Sequence, residues 1–334
     1  MYPHWKTALA TALCVVTCSQ LGLAQVAATI LELDLENRVN YVDDVFDVTK
    51  YATNPNVTTP LTAINFRPAV QINDIVAING RPVKGTLVST FRTINLRPTP
   101  APGQAIADIM QDIVVAAHYQ ILNLDGTVIG SIMASGLGNG LIPPGSPSTA
   151  LLGDSTIVGG TGAFLGARGQ SSVGRNLIAT RNASITEDPA NRRRNGGGAA
   201  RIIFTLIPVS RPAVVIASGG PAITHSSDFS LVTASKPAAA GETLSLFATG
   251  LGPTRPGVDP GKPFPSSPLA AVNSPVEVSV NGNPAQVLAA VGFPGTVDTY
   301  QVNFQVPSGT TKGPATVQVT AAWIAGPAVS IQVQ

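Results

Sequence analysis

The sequence predicts an all-β protein built from two domains. Charged residues make up only 11% of the 334, while 33 glycines and 28 prolines supply turn formers, a balance that suits short strands and many turns. Beyond the first two dozen residues helical periodicity is scarce, and short β-branched runs are bounded by Gly, Pro, Asn or Asp. The composition then shifts near 208–228, where "PVSRPAVVIASGGPAITHSSDFS" reads as a Pro-, Ser- and Gly-rich junction; the length is that of about two domains.

Residues 1–24 read as a secretory signal peptide. Lys6 precedes an apolar run from Ala8 to Val16, and Gly22 and Ala24 place small residues at a cleavage site. The run is too short to span a bilayer, and no later segment is long and apolar enough. Cys14 and Cys18 are the only cysteines and both lie in this leader, which excludes a disulfide framework, a thiol nucleophile and a cysteine metal site from the mature chain. Thr17 makes "VVTC" a poor lipoprotein box, so no lipid anchor at Cys18 is expected. The expected location is secreted, extracellular or periplasmic. With 20 basic against 18 acidic residues, the charge balance points to neither nucleic acid nor an anionic membrane.

The strands expected in the first domain, 26–209, are 29–36, 40–48, 62–66, 70–78, 83–95, 108–123, 127–134, 155–158, 167–180 and 200–208. "INGRPVKG" (78–85) and "LNLDGTVIG" (122–130) are expected hairpins, the second on Asp125-Gly126. Residues 210–228 are expected to link to a second domain, 229–334, with strands 242–249, 275–281, 284–291, 298–306, 314–322 and 327–333. "VEVSV" and "TYQVNFQV" alternate with period two, as half-buried strands do. Acids gather near the start of the first domain (Glu32, Asp34, Glu36, Asp43, Asp44, Asp47) and arginines between 168 and 201. In a closed barrel these first and last strands would be neighbours, and the two sets could face each other. "NRRRNGGGAAR" (191–201) is expected to be a solvated hairpin tip.

"TIVGGTGAFLGARGQ" (156–170) packs five glycines into fifteen residues and holds one cation, Arg168. Gly160 and Gly162 begin a dinucleotide fingerprint, but Leu165 holds its third position, and no lysine follows for a P-loop. No amphipathic helix follows to bind an anion at its N-terminus. Nucleotide binding is therefore not expected.

The same stretch resembles the signature of the dirigent and allene oxide cyclase superfamily, a Gly-Gly-[Ser/Thr]-Gly-x-Phe turn followed by a strand with a small residue, an Arg or Tyr, and Gly. Gly159, Gly160, Thr161, Gly162, Phe164, Gly166, Arg168, Gly169 and Gln170 carry the likeness, which covers about 28–208. It implies an eight-stranded antiparallel closed barrel whose lumen holds one small apolar molecule and steers its cyclisation or coupling by positioning, without metal or cofactor. Ala163 departs from the pattern, since relatives with a steering role commonly carry an acid there. Residues 212–334, including "GETLSLFATGLGPT" and "DTYQVNFQVPSG", resemble a C-terminal Ig-like (IPT/TIG-like) module of secreted bacterial proteins. That likeness implies an Ig-like β-sandwich serving as a structural or adhesive appendage, with cell-surface or polysaccharide contact. The superfamily likeness also implies assembly of barrels into oligomers.

Four residues are candidates for lumen chemistry. Arg168 matches the family's arginine; its plainer role is a salt bridge to the acidic first strand. Asp74 precedes an apolar strand and could face the mouth or serve a strand start. His118 and Tyr119 lie in "DIVVAAHYQIL", where alternation puts Val115, Ala117, Tyr119 and Ile121 on one face. That face is the more apolar, so Tyr119 is expected in the lumen and His118 outside. Asp108 and Asp112 would share a face of an extended chain. His118 and His225 lie in separate domains, which makes no metal site, and no serine sits in a nucleophile elbow. The alternative reading is a non-catalytic extracellular structural or adhesion protein with a filled barrel.

Overall fold

The computed structural model describes residues 28–42, 66–95, 111–138, 155–207 and 210–334. Residues 1–24, expected to be a signal peptide, and Asp43, Asp44, Asp47 and Asp108 lie outside the described residues. The first domain is a closed antiparallel barrel of eight strands. These are β1 (Thr29–Val42), β2 (Phe66–Ile78), β3 (Lys84–Asn95), β4 (Gln111–Leu122), β5 (Val128–Gly138), β6 (Ser155–Gly162), β7 (Arg168–Ile178) and β8 (Gly198–Ile207). Each strand from β2 to β8 pairs with the next, and β1 closes the ring between β8 and β2. Closure removes the exposed sheet edges an open sheet would present.

The expected strand 29–36 and the described start of the expected strand 40–48, residues 40–42, are parts of one element; residues 43–48 lie outside the described residues. Asn37, at φ 52, forms a bulge in β1 instead of a turn. Two residues, Asn37 and Arg38, lie opposite the single Asn73 of β2, and the register shifts there. Beyond the bulge, the short strand Arg181–Ser184 runs parallel along Val39–Val42, continuing the edge where β8 stops.

The glycine cluster also differs from expectation. Gly159, Gly160, Thr161 and Gly162 continue β6, and the reversal itself is Ala163–Gly166. Gly160 and Gly162 are required by close approach of β5 and the turn: a Cβ on Gly160 would sit 2.3 Å from the Phe164 carbonyl oxygen, and one on Gly162, which has φ +61, 2.5 Å from the Ile129 carbonyl oxygen. Phe164 folds back from the turn and is buried in the barrel core. The charge seam forms as the topology requires. Asp34 and Arg201 are register partners across β1 and β8, with Nε donating to the carboxylate at 2.7 Å.

The second domain contains β9 (Thr243–Thr249), β10 (Val276–Val280), β11 (Asn283–Gly292), β12 (Tyr300–Gln305), β13 (Gly313–Ala321) and β14 (Val329–Val333). Its strands form one continuous path, β9-β12-β11-β10-β13, with β14 also on β13, and the part that carries β9, β12 and β11 is a half-barrel. The segment expected as a linker contributes to this sheet, since Ala213–Val214 and Ile223–His225 both pair with β9.

The two domains meet at the barrel end formed by the short hairpins. Ala322 and Trp323, the turn after β13, and Ile324, which opens a short strand paired back on β13, join the barrel's own hydrophobic cluster with Phe164 and Ala167. Asn123 donates to the Asn273 carbonyl and Asn273 to the Val128 carbonyl, each at 2.6 Å. An Arg81–Glu277 pair and an Arg255–Asp125 pair flank the contact. The second domain thus plugs one end of the barrel. Among the described residues no helix is long and apolar enough to cross a membrane.

Candidate functional site in the barrel lumen

Side chains alternate in and out along barrel strands, so register and burial assign the lumen. Its lower part, toward the plug, is filled. Leu31, Leu33, Leu35, Ile75, Ile121, Ile129, Ile132, Ile157, Phe164 and Phe204 are all essentially inaccessible to solvent. Tyr119 tops this packing, with its ring perpendicular to Phe204 and 4.8 Å away, centroid to centroid. Burial pushes the Tyr119 phenol above its ordinary range, and the nearby Arg38 charge opposes that shift. It is therefore a neutral hydroxyl at physiological pH.

Above Tyr119 the lining changes character. In register, Asn40 leads to Gln71, Ser89, Ala117 and Ala134, and the next row runs Val42, Ala69, Phe91, Val115 and Gly136. In the first of these rows small and polar groups replace the large aliphatics of the lower half, and the second is apolar again. An amide chain crosses the wall: Asn73 Nδ2 donates to Gln71 at 3.3 Å, Gln71 to Asn40 at 2.7 Å, and Asn40 to Asn182 at 3.1 Å. Asn73 is wholly buried, and its Oδ1 receives no hydrogen bond among the described residues.

Arg38 belongs to this upper lumen. The leucines at 31, 33 and 35 point inward, and plain alternation would send Arg38 out. The bulge at Asn37 shifts the parity, so Arg38 pairs with Gly198 on the lumen side while Val39 and Tyr41 turn outward. Arg38 is 8% exposed. Its burial lowers the guanidinium pKa, opposed by Tyr119.

Asp74 faces the outside of the barrel, as its register partner Thr86 does. It is nonetheless buried, because the excursion between Arg181–Ser184 and β8 covers it. Arg192 pairs with it, Arg193 donates Nε and Nη2 at 2.7 Å each, and Asn37 Nδ2 donates at 2.9 Å. Burial raises the Asp74 pKa, but these hydrogen bonds outweigh that and hold it below the ordinary carboxylate value. The patch expected to be a solvated tip is thus anchored, with Arg192 buried and Arg193 exposed.

Arg168 lies on the outer face. Its Nη1 donates to the carbonyls of Val158, at 2.6 Å, and Ala167, at 3.0 Å. Its partners are therefore backbone groups, whereas Asp34 and Glu32 of the first strand pair with Arg201. His118 also faces out, in register with Val88 and Met133. Of the four candidates, only Tyr119 reaches the lumen. Arg38 and Asn73 were not candidates in the sequence; the signal that could have found Arg38 is Asn37, a residue tolerant of positive φ inside a strand pattern. Among the described residues no group of three His, Asp or Glu side chains could hold a metal ion.

No family profile and no curated protein matches the chain. Distantly similar solved structures include two of different kinds. One is a polysaccharide lyase, with 8% identity and a TM-score of 0.17, covering 81% of this chain and 35% of the lyase, so the chain spans about a third of that protein. The other is the N-terminal domain of the Streptococcus gordonii adhesin Sgo0707, with 9% identity and a TM-score of 0.17, covering 93% of this chain and 95% of that one. Likeness at this level carries no argument about fold or function.

Proposed function

We propose that the barrel binds a small, largely apolar molecule in the upper lumen, above Tyr119. The observation that supports this most is the change in lining. A core built only for stability fills such positions with Leu, Ile and Val, and burying polar groups there without full pairing costs free energy. Here Asn73, Ser89, Ala117, Ala134 and Ser171 occupy buried positions, while the lower lumen is packed to capacity. An eight-stranded barrel is just wide enough to be filled by side chains or to hold one small ligand. With one end plugged, entry is assigned to the other.

In this reading the chain is an exported member of the dirigent and allene oxide cyclase superfamily with an Ig-like appendage. Any turnover is cyclisation or coupling steered by positioning, with the neutral Tyr119 hydroxyl and Arg38 as the polar groups nearest the occupant. Titration with an apolar fluorescent probe tests the reading. The wild-type chain should bind it, and Ala117→Phe and Ala134→Phe, which fill the upper lumen, should each weaken binding about tenfold or more while the barrel stays folded. A wild-type chain that binds no probe, or filled variants that bind it equally, would leave a non-catalytic structural protein.

A further inference from the structure

The β1 bulge indicates what the occupant carries besides apolar surface. Arg38 and Asn73 lie opposite each other at the bulge, on the lumen side, in one buried patch. They offer complementary chemistry. A guanidinium presents five N–H donors in a planar fork, so it can serve a ligand oxygen alongside protein groups. The Asn73 carbonyl oxygen is an acceptor, wholly buried, and the amide chain Asn73–Gln71–Asn40–Asn182 fixes its orientation by using the Nδ2 group. An acceptor buried without a donor is costly to keep, and a ligand hydroxyl would satisfy it. Beyond this patch the wall becomes apolar again, with Val42, Ala69, Phe91 and Val115. The order from the floor outward is a packed base, a polar step, then an apolar collar.

Resting on the lumen reading, we propose that the occupant is an aliphatic hydroxy acid bound head-inward, its carboxylate on Arg38 and its hydroxyl on the Asn73 Oδ1, with its chain in the collar. The bulge is what makes this site, because it turns Arg38 from the outer face to the inner one. Asn37, at the crest, is held from outside by Asp74 at 2.9 Å. Asp74 is thereby a positioning residue for Arg38 and touches no ligand itself.

A ligand series on the intact chain tests the assignment by calorimetry, with 3-hydroxydecanoate, decanoate and decanol as probes. The hydroxy acid should bind about tenfold more tightly than decanol, with decanoate between them. Arg38→Met should bring decanoate to the level of decanol, weaken the hydroxy acid by the same factor and leave decanol unchanged. Asn73→Leu should abolish the difference between the hydroxy acid and decanoate while keeping both above decanol. Equal binding of all three by the wild-type chain overturns the head-group assignment and leaves the lumen pocket standing, and so does a preference for decanoate over decanol that survives Arg38→Met. Binding of none of them overturns both. The wild-type comparison decides the matter even where a variant fails to fold.

Discussion

Asp74 and Arg38 stand on opposite faces of one bulge, and each side chain has a different task. Asp74 receives donors from Arg192, Arg193 and Asn37 on the outside, where removing one partner of a buried ion pair typically costs about 3 kcal/mol. Asp74→Asn should lower stability by about that amount in denaturant unfolding. The pH dependence has a definite sign. Because the folded carboxyl titrates below its unfolded value, its contribution is present above about pH 4 and is lost as pH falls through the folded pKa. The wild-type midpoint should therefore fall more steeply with acid than that of Asp74→Asn; parallel slopes would contradict the clamp. Parity is why Tyr119 was legible in the sequence and Arg38 was not. Strand β4 has no bulge between Val115 and Ile121, so alternation reads through to Tyr119, whereas the bulge in β1 inverts the count three residues after Leu35.

At the scale of elements, the β6–β7 hairpin is a packing device. Phe164 fills the lower lumen, and Gly162 has both a positive φ and a neighbouring backbone oxygen where a Cβ would go. Phe164→Ala should cost about 3–5 kcal/mol. Gly162→Ala should cost about 2 kcal/mol or more, since the new methyl meets backbone and not a side chain that can move. Both are read from thermal or denaturant midpoints, and values near zero would show that the hairpin can relax away from the core. The glycine content marked this hairpin in the sequence, but the exact turn did not follow, because glycines that permit close strand approach and glycines that make turns look alike. The β1–β8 charge seam was legible once closure was assumed, since closure alone makes first and last strands neighbours.

Across the whole molecule, the second domain closes one end of the barrel with Ala322, Trp323 and Ile324. Ala322 and Trp323 both hold positive φ, 47 and 65 degrees, a conformation that the surrounding packing must sustain. The domains should therefore unfold in one calorimetric transition, and Trp323→Asp should split it in two. The exposed Arg255–Asp125 pair should matter little to stability. None of this interface was legible in the sequence, because "TAAWIAG" reads as strand and turn of its own domain and an apolar residue carries no mark of which core it joins. The plug leaves the upper lumen as the place for a ligand, and locating a bound molecule tests that most directly. In crystals grown with a brominated aliphatic acid, anomalous scattering should place the bromine inside the barrel, among Phe91, Ala117 and Ala134. A bromine found only outside the barrel, on the Val88–Met133 face or in the cleft of about 450 Å³ between Leu165 and Lys262, would contradict it.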